Sequence, residues 1–168
     1  HIGELTTMAL VPQVVDSVNI PVIAAGGIAD RRQVLAAFAL GAKGVQVGTI
    51  MLASTECPIH DNYKQKIVAA KDTDTIVTGR KTGAPVRVLK NPMAREYVRL
   101  SEAGATLEEL EKLTLGSLRR AVLDGNTETG SFMAGQVSGL IKEVKPVKDI
   151  IEDLFRDIDI LKTKIQVL

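Results

Sequence analysis

The spacing of apolar residues over the first part of the chain predicts alternating helices and strands. Before Asn19, apolar residues recur at helical spacing and predict a helix with one buried stripe, formed by Leu10, Val11, Val14, Val15 and Val18. Continuous apolar runs at 20–25 and 44–47 are too short for typical helices and predict buried parallel strands. Between them, Asp30 can cap a helix over 31–40. This order of elements predicts right-handed β/α units in a parallel sheet.

The β/α alternation stops after Cys57, and the pattern then resembles an inserted subdomain more than another β/α unit. The pattern predicts a polar helix at 62–71 and two short strands at 73–78 and 86–89. It also predicts two long amphipathic helices at 106–123 and 147–164, with a glycine-rich loop at 130–136 between them. Two core strands are too few to close a barrel, and with their flanking helices they cannot cover both faces of a sheet. The remaining strands are therefore expected to come from elsewhere.

Composition narrows the classes of function. The 168 residues are 45% apolar, enough for a folded core, and 21 basic against 20 acidic residues leave a net charge of +1. That balance argues against nucleic acid as a partner. The single cysteine, Cys57, cannot form an internal disulfide and lacks the spacing of a zinc site, so no metal site is predicted.

The chain also shows no sign of a membrane or secretory location. No apolar run approaches the roughly 20 residues that span a bilayer, and no signal-peptide pattern is present. We therefore expect a cytoplasmic protein. The chain begins at His1 without an initiator methionine, which we interpret as the start of a fragment.

Glycines follow both predicted core strands, as Gly26-Gly27 and Gly48-Thr49. Carboxyl ends of neighbouring parallel strands share one rim of the sheet, where exposed backbone amides can donate several hydrogen bonds to a phosphate. Glycine suits such a site because a Cβ would hold the anion away from the amides. Alternatively, each pair only shapes a turn, but two such endings one β/α unit apart favour a phosphate site.

Four segments resemble, in order, the signature of the nitronate monooxygenase-like flavoproteins. They are HIGELTTM at 1–8, PVIAAGGIAD at 21–30, VQVGT at 45–49 and MAGQ at 133–136. Within that group the sequence is most similar to the FMN-dependent enoyl-acyl carrier protein reductase II family. The resemblance implies an α/β fold: the C-terminal part of a TIM (β/α)8 barrel, with strands seven and eight, their flanking helices, and a smaller substrate-binding subdomain. The implied segments are the barrel part with the phosphate site at 1–57 and the subdomain at 58–124. A flavin-contacting loop with the C-terminal helix follows at 125–168.

The resemblance also assigns roles to single residues. The implied FMN-binding residues are Ala25, Gly26, Gly27, Gln46, Gly48, Thr49, Met133, Ala134, Gly135 and Gln136. His1 corresponds to the family's active-site histidine, a group that can donate a proton or a hydrogen bond near neutral pH. From the residues alone, a helix cap with a hydrophobic plug is the favoured interpretation of the loop at 133–136. Arg87 is a candidate for contact with a phosphate or an acidic carrier protein, whereas His60 and Lys90 are expected to be structural and solvated, respectively.

The implied reaction is reduction of a 2-enoyl-acyl carrier protein thioester in fatty acid synthesis, with FMN as cofactor and NADH or NADPH as co-substrate. One alternative is a nitronate monooxygenase, which shares the flavin and the histidine but uses O2 and an alkyl nitronate. A non-catalytic fragment that binds phosphate or flavin is an alternative of another class. The implied partners are the N-terminal half of the same barrel, the acyl carrier protein and a second copy in a homodimer.

Overall fold

The computed structural model describes residues 2–165 as a mixed α/β structure with two small sheets. Its helices are α1 Thr7–Ser17, α2 Arg31–Ala39, α3 Thr49–Leu52, α4 Asp61–Val68, α5 Pro92–Glu102, α6 Leu107–Thr114, α7 Ser117–Val122, α8 Val147–Phe155 and α9 Ile158–Ile165, with a 3-10 helix at Gln136–Leu140. Its strands are β1 Ile23–Ala25, β2 Gly44–Gln46, β3 Thr75–Thr78 and β4 Val86–Leu89. No helix in the described part of the chain is long and apolar enough to span a membrane.

The first sheet contains the two predicted core strands. β1 and β2 pair in parallel, with Ile23 opposite Gly44 and Ala25 opposite Gln46. The intervening helix α2 begins at a capping box, in which the Asp30 side chain accepts from backbone amides and Gln33 reciprocates. Helices α1, α2 and α8 contribute to a core around this sheet, formed by Val11, Ala24, Ile28, Val34, Ala37, Ala42, Ile150 and Leu154.

The second sheet is the antiparallel hairpin of β3 and β4, in which Val77 pairs with Arg87. Met133 extends this sheet through a bridge to Val88, and the Leu89 amide donates to the Phe132 carbonyl at 2.8 Å. A second core lies beneath, and it is formed by residues from before, within and after the hairpin: Ala29, Ala53, Tyr63, Ile67, Ala70, Leu89, Ala121, Phe132, Ala134, Val137 and Ile141. The loop that precedes the 3-10 helix is therefore fixed to the hairpin.

Both predicted long helices are wrong, because each is interrupted. The helix expected over 106–123 breaks where Leu115 becomes extended and Gly116 adopts a left-handed φ of 70°. The helix expected over 147–164 breaks at Arg156 and Asp157, the latter with a φ of 54°. In both cases the apolar spacing continues across the break, so periodicity alone predicted one helix.

Two helices were not predicted. Helix α3 is a single turn directly after β2. Helix α5 follows the hairpin, with Asn91 as its N-cap and Pro92 in its first turn.

The predicted buried stripe of α1 is largely exposed among the described residues. Only Val11 of that stripe is buried; Val15 is partly buried against the first core, and Leu10, Val14 and Val18 are exposed. The first strand is likewise buried only at Ala24. The prediction of a fully buried strand is therefore wrong for this chain, because no element within residues 2–165 covers the other side.

Candidate functional site

The candidate site lies where β1 and β2 end, at one edge of their parallel sheet. Because Ala25 pairs with Gln46, the residues that follow each strand emerge side by side: Gly26, Gly27, Gly48 and Thr49. Ligands of α/β sheets and barrels bind at this carboxyl-terminal edge. The predicted parallel pairing of these two strands is confirmed, and it brings Gly26-Gly27 and Gly48-Thr49 to the same edge.

The turn after β1 depends on glycine. Gly26 and Gly27 have φ angles of 98° and 73°, a region that residues with a Cβ rarely adopt. The Thr7 hydroxyl donates to the Gly26 carbonyl at 3.0 Å and so ties the start of α1 to this turn. A Cβ on Gly26 would lie 3.3 Å from that hydroxyl oxygen.

Several backbone amides at this edge are available to a ligand. Within residues 2–165, no carbonyl or side chain accepts a hydrogen bond from the amides of Gly27, Gly48 or Thr49. A Cβ built on Gly27 or Gly48 would meet no protein atom within 4 Å, so open space lies next to both residues. Free amides next to open space fit a phosphate, which accepts several hydrogen bonds at once.

The loop predicted to contact flavin packs beside this edge. The Gly135 amide donates to the Thr49 Oγ1 at 2.9 Å, which joins the loop to the end of β2. The Tyr63 hydroxyl donates to the Met133 carbonyl at 2.7 Å, and the Ala134 amide donates to the Arg87 carbonyl at 3.2 Å. Bonds from α4, β4 and the start of α3 therefore fix three consecutive residues of the loop.

A cavity of about 340 Å³ lies between these elements. Its lining comes from the end of β2, from α3, from β4 and from the loop: Gly48, Thr49, Leu52, Val86, Arg87, Met133, Ala134 and Gly135, with Ile2 at one side. Met133 is 38% exposed although its neighbours Phe132 and Ala134 are buried, so its side chain is open to solvent. The cavity therefore has backbone amides on one wall and an apolar side chain on another.

The predicted site residues fall into three groups. Those that line the cavity are Gly48, Thr49, Met133, Ala134 and Gly135. Those that lie on or next to the paired strand ends are Ala25, Gly26, Gly27 and Gln46, all of them exposed. Gln136 begins the 3-10 helix and is not part of the cavity lining. His1, the predicted catalytic residue, lies outside the described residues, and the roles assigned to all these residues stay predictions.

Sequence reasoning gave no site role to Tyr63 or Thr7. Tyr63 is buried in α4, and burial raises the pKa of its phenol well above the ordinary value, so the hydroxyl stays protonated and donates to the loop. The signal available was an aromatic residue four positions before Ile67 in a mostly polar helix. His60, expected to be structural, accepts from the Asn62 amide at 3.1 Å as the cap of the same helix.

A larger cavity, about 610 Å³, lies between α2, α8 and α9. It contains none of the predicted site residues, and most of its charged groups are already paired, such as Arg31 with Asp157 and Lys145 with Asp153. We therefore place the candidate site in the smaller cavity, where amides are free. Within residues 2–165, no group of three or more His, Cys, Asp or Glu side chains is arranged to hold a metal ion.

In a comparison with known families, residues 1–157 match the model described as nitronate monooxygenase. Among curated relatives, a probable nitronate monooxygenase from Staphylococcus saprophyticus is 38% identical over 138 residues, covering 82% of this chain and 39% of the relative. Another from Bacillus subtilis is 35% identical over 150 residues, covering 89% of this chain and 43% of the relative. The chain thus spans about two fifths of the length of these relatives.

Solved structures are similar over nearly the whole chain. FabK from Thermotoga maritima is 53% identical with a TM-score of 0.94, and the match covers 99% of this chain and 53% of that chain. A nitroalkane oxidase from Streptomyces ansochromogenes is 30% identical with a TM-score of 0.78, covering 96% and 46%. These likenesses confirm the predicted fold class, part of a TIM barrel of the flavoenzyme type.

Proposed function

Because the chain belongs to the nitronate monooxygenase family, whose members are flavin-dependent oxidoreductases, we propose that it forms the FMN-phosphate-binding part of an enoyl-acyl carrier protein reductase. The family predicted from the sequence motifs is confirmed. The observation that carries the proposal is the set of free amides on Gly27, Gly48 and Thr49 beside open space at one sheet edge. Such a set of donors suits the dianionic phosphate of FMN.

Identity favours the reductase over the monooxygenase. The chain is 53% identical to FabK, an enoyl-acyl carrier protein reductase II, but 38% or less to the curated nitronate monooxygenases cited above. We therefore take a 2-enoyl thioester on acyl carrier protein as the substrate and NADH or NADPH as the reductant, in fatty acid synthesis.

The residues of the cavity and of the adjoining strand ends have separate tasks in this proposal. The amides of Gly27, Gly48 and Thr49 bind the phosphate. The Thr49 oxygen already accepts from Gly135, so its hydroxyl proton remains free to donate to the same phosphate. Met133, held through its carbonyl by Tyr63, places an exposed apolar side chain in the cavity and limits the access of water to a bound ring.

FMN in this cavity would supply hydride transfer to the substrate. The thioester carbonyl gains negative charge during that reduction, and a hydrogen-bond donor beside its oxygen stabilises the charge. We assign this role to His1, as a proton or hydrogen-bond donor.

We also propose that a second segment, the N-terminal half of the same barrel, completes the site. Because α1 and β1 are only partly buried, their exposed apolar residues are available to pack against this segment. The acyl carrier protein and a second copy of the complete barrel are the further partners we propose.

The test is reductase activity in the complete barrel with FMN bound. We expect crotonyl thioester to drive NADH or NADPH oxidation, followed at the nicotinamide absorbance band. His1→Ala should lower kcat while leaving flavin absorbance in place. Bound FMN without thioester-dependent oxidation would reject the reductase.

A second candidate function is nitronate oxidation, favoured by the family model and the curated relatives. It predicts oxygen uptake with an alkyl nitronate in the absence of a nicotinamide cofactor. We expect this activity to be much weaker than thioester reduction in the same preparation. The opposite ratio would assign the chain to the monooxygenases.

A further inference from the structure

Two arginines at the β3–β4 hairpin have no acidic partner. Arg87 lies on β4, and Arg80 lies just beyond the end of β3. In the described part of the chain, no carboxylate lies within 4.0 Å of either guanidinium. Arg95, Arg119 and Arg120 also lack such a partner, but of these five arginines only Arg87 lines the 340 Å³ cavity. Positive charge is therefore left uncompensated at this hairpin.

Arg87 is positioned by its own contacts at the edge of the candidate site. Its Nη1 donates to the Thr75 Oγ1 at 3.0 Å. Val77 pairs with Arg87, so Thr75 and Arg87 lie diagonally on the same face of the hairpin and within reach. Its carbonyl accepts from Ala134, and the residue lines the 340 Å³ cavity together with Gly48 and Met133. The guanidinium thus has one donor engaged and four still available.

Arg80 is exposed and adds a second positive charge nearby. Partial burial of Arg87, and then the charge of Arg80, lower the pKa of Arg87. Two close cations without a counter-charge repel each other, and this repulsion is relieved when an anion binds between or beside them. Guanidinium groups bind phosphate through paired N–H donors and so suit this role better than ammonium groups do.

We propose that Arg87, assisted by Arg80, binds a phosphate ester group of an incoming substrate at the mouth of the cavity. This inference rests on the proposed reductase function. The site is separate from the one formed by Gly27, Gly48 and Thr49, which belongs to the FMN phosphate. Two substrates carry phosphate esters: the nicotinamide dinucleotide, and the thioester with its phosphate-containing carrier arm.

The experiment compares substrates with and without phosphate in the complete, FMN-loaded protein. Arg87→Gln should raise the KM of one phosphate-bearing substrate about tenfold, with kcat changed less than twofold. A rise for crotonyl-CoA but not for crotonyl-N-acetylcysteamine assigns the phosphate to the thioester arm. A rise for NADPH and NADH alike assigns it to the dinucleotide pyrophosphate, and a rise for NADPH alone assigns it to the 2′-phosphate. Equal KM values for wild type and variant with every substrate would overturn the proposal, as would an equal rise with the phosphate-free thioester.

Controls separate this site from folding and from the proposed function. Arg119→Gln removes an exposed guanidinium on α7, away from the cavity, and should leave every KM unchanged. Arg80→Gln, at an exposed position, should raise the same KM about threefold, because it removes only the assisting charge. Loss of flavin absorbance in Arg87→Gln would instead assign Arg87 to FMN and overturn the proposal.

Direct binding gives a readout that does not need turnover. Calorimetric titration with crotonyl-CoA and with NADPH should show about tenfold weaker binding of one of them to Arg87→Gln. Wild-type protein that binds these ligands without turnover would reject the reductase function but keep the phosphate site. Turnover in wild type with unchanged Kd values in the variant would reject the phosphate site alone.

Discussion

At the scale of single residues, Gly48 allows backbone conformation and ligand space to be tested separately. Its φ of −118° is negative and its ψ is −64°, close to the right-handed helical region that alanine adopts, and a Cβ there would meet no protein atom within 4 Å. We expect Gly48→Ala to leave the Tm of the flavin-free protein unchanged or slightly higher, because alanine restricts the unfolded chain. FMN affinity should fall about 10- to 100-fold, since the methyl group occupies the space beside the free amides.

The comparison that controls this prediction is the melting curve of the same variant without flavin. A fall in Tm would mean that the substitution perturbs the turn rather than the phosphate position. Unchanged FMN affinity, measured by quenching of flavin fluorescence, would contradict the assignment of Gly48 to the phosphate site.

The sequence could reveal some candidate site residues but not others, depending on the chemistry of each residue. Gly27 and Gly48 could be predicted as candidates because glycines follow two neighbouring predicted strands, although each glycine could also serve only a turn. Tyr63 was not, because its role is to hold the Met133 carbonyl from a different helix, and nothing near position 63 signals a partner 70 residues away. Arg87 was recognised as a candidate, but its lack of an acidic partner is visible only in three dimensions.

At the scale of elements, Asn91 connects α5 to the loop that follows α7. Its Oδ1 accepts from the Ala94 amide at 2.8 Å, and its Nδ2 donates to the carbonyls of Thr127 and Gly130 at 3.0 and 2.7 Å. Asn91 and Gly130 are buried, so the Gly130 carbonyl cannot turn to water instead, whereas Thr127 is exposed. We expect Asn91→Ala to lower the free energy of unfolding by about 3 kcal/mol, the sum of a lost cap and of the unpaired buried carbonyl of Gly130.

Urea unfolding of Asn91→Ala and Asn91→Ser measures how much of this loss comes from the helix cap and how much from the amide hydrogen bonds. Serine keeps an oxygen for the cap but loses both amide donors, so Asn91→Ser should recover about 1 kcal/mol of the loss. Equal stabilities of wild type and Asn91→Ala would show that the three bonds contribute nothing measurable.

The elements themselves were predicted unevenly, for identifiable reasons. All four strands were anticipated, because short apolar or β-branched runs between glycines have a clear signature. The breaks at Gly116 and Asp157 were missed because leucine and isoleucine spacing continues past each of them. Helix α5 was not predicted, although Asn91 and Pro92 are a standard helix start.

At the scale of the whole molecule, two cores meet at α3, and one side of the first core is open. Ile50 of α3 packs against both cores, so the two sheets are linked through the turn that carries the candidate site. Apolar side chains of α1 and of the segment between α1 and β1 remain exposed, as in Met8 at 67% and Ile20 at 72%. Together with the 53% of FabK that the chain covers, this exposure is what a segment of a larger barrel would show.

The open side of the first core is expected to bind the rest of a barrel. The part of FabK that this chain does not cover serves as a probe, because the chain is 53% identical to the part that it does cover. We expect the 168-residue chain to associate with that probe, and Met8→Asp with Ile20→Asp to weaken the association more than 100-fold. Each buried side chain of this size contributes about 1.5–3 kcal/mol, and a buried unpaired carboxylate adds a further cost.

Leu107→Asp, at an exposed position on α6, is the matched control and should leave association unchanged. Sedimentation of the mixtures measures the effect. Association that is equally strong in all three proteins would place the interface elsewhere and remove the argument that α1 faces the rest of a barrel.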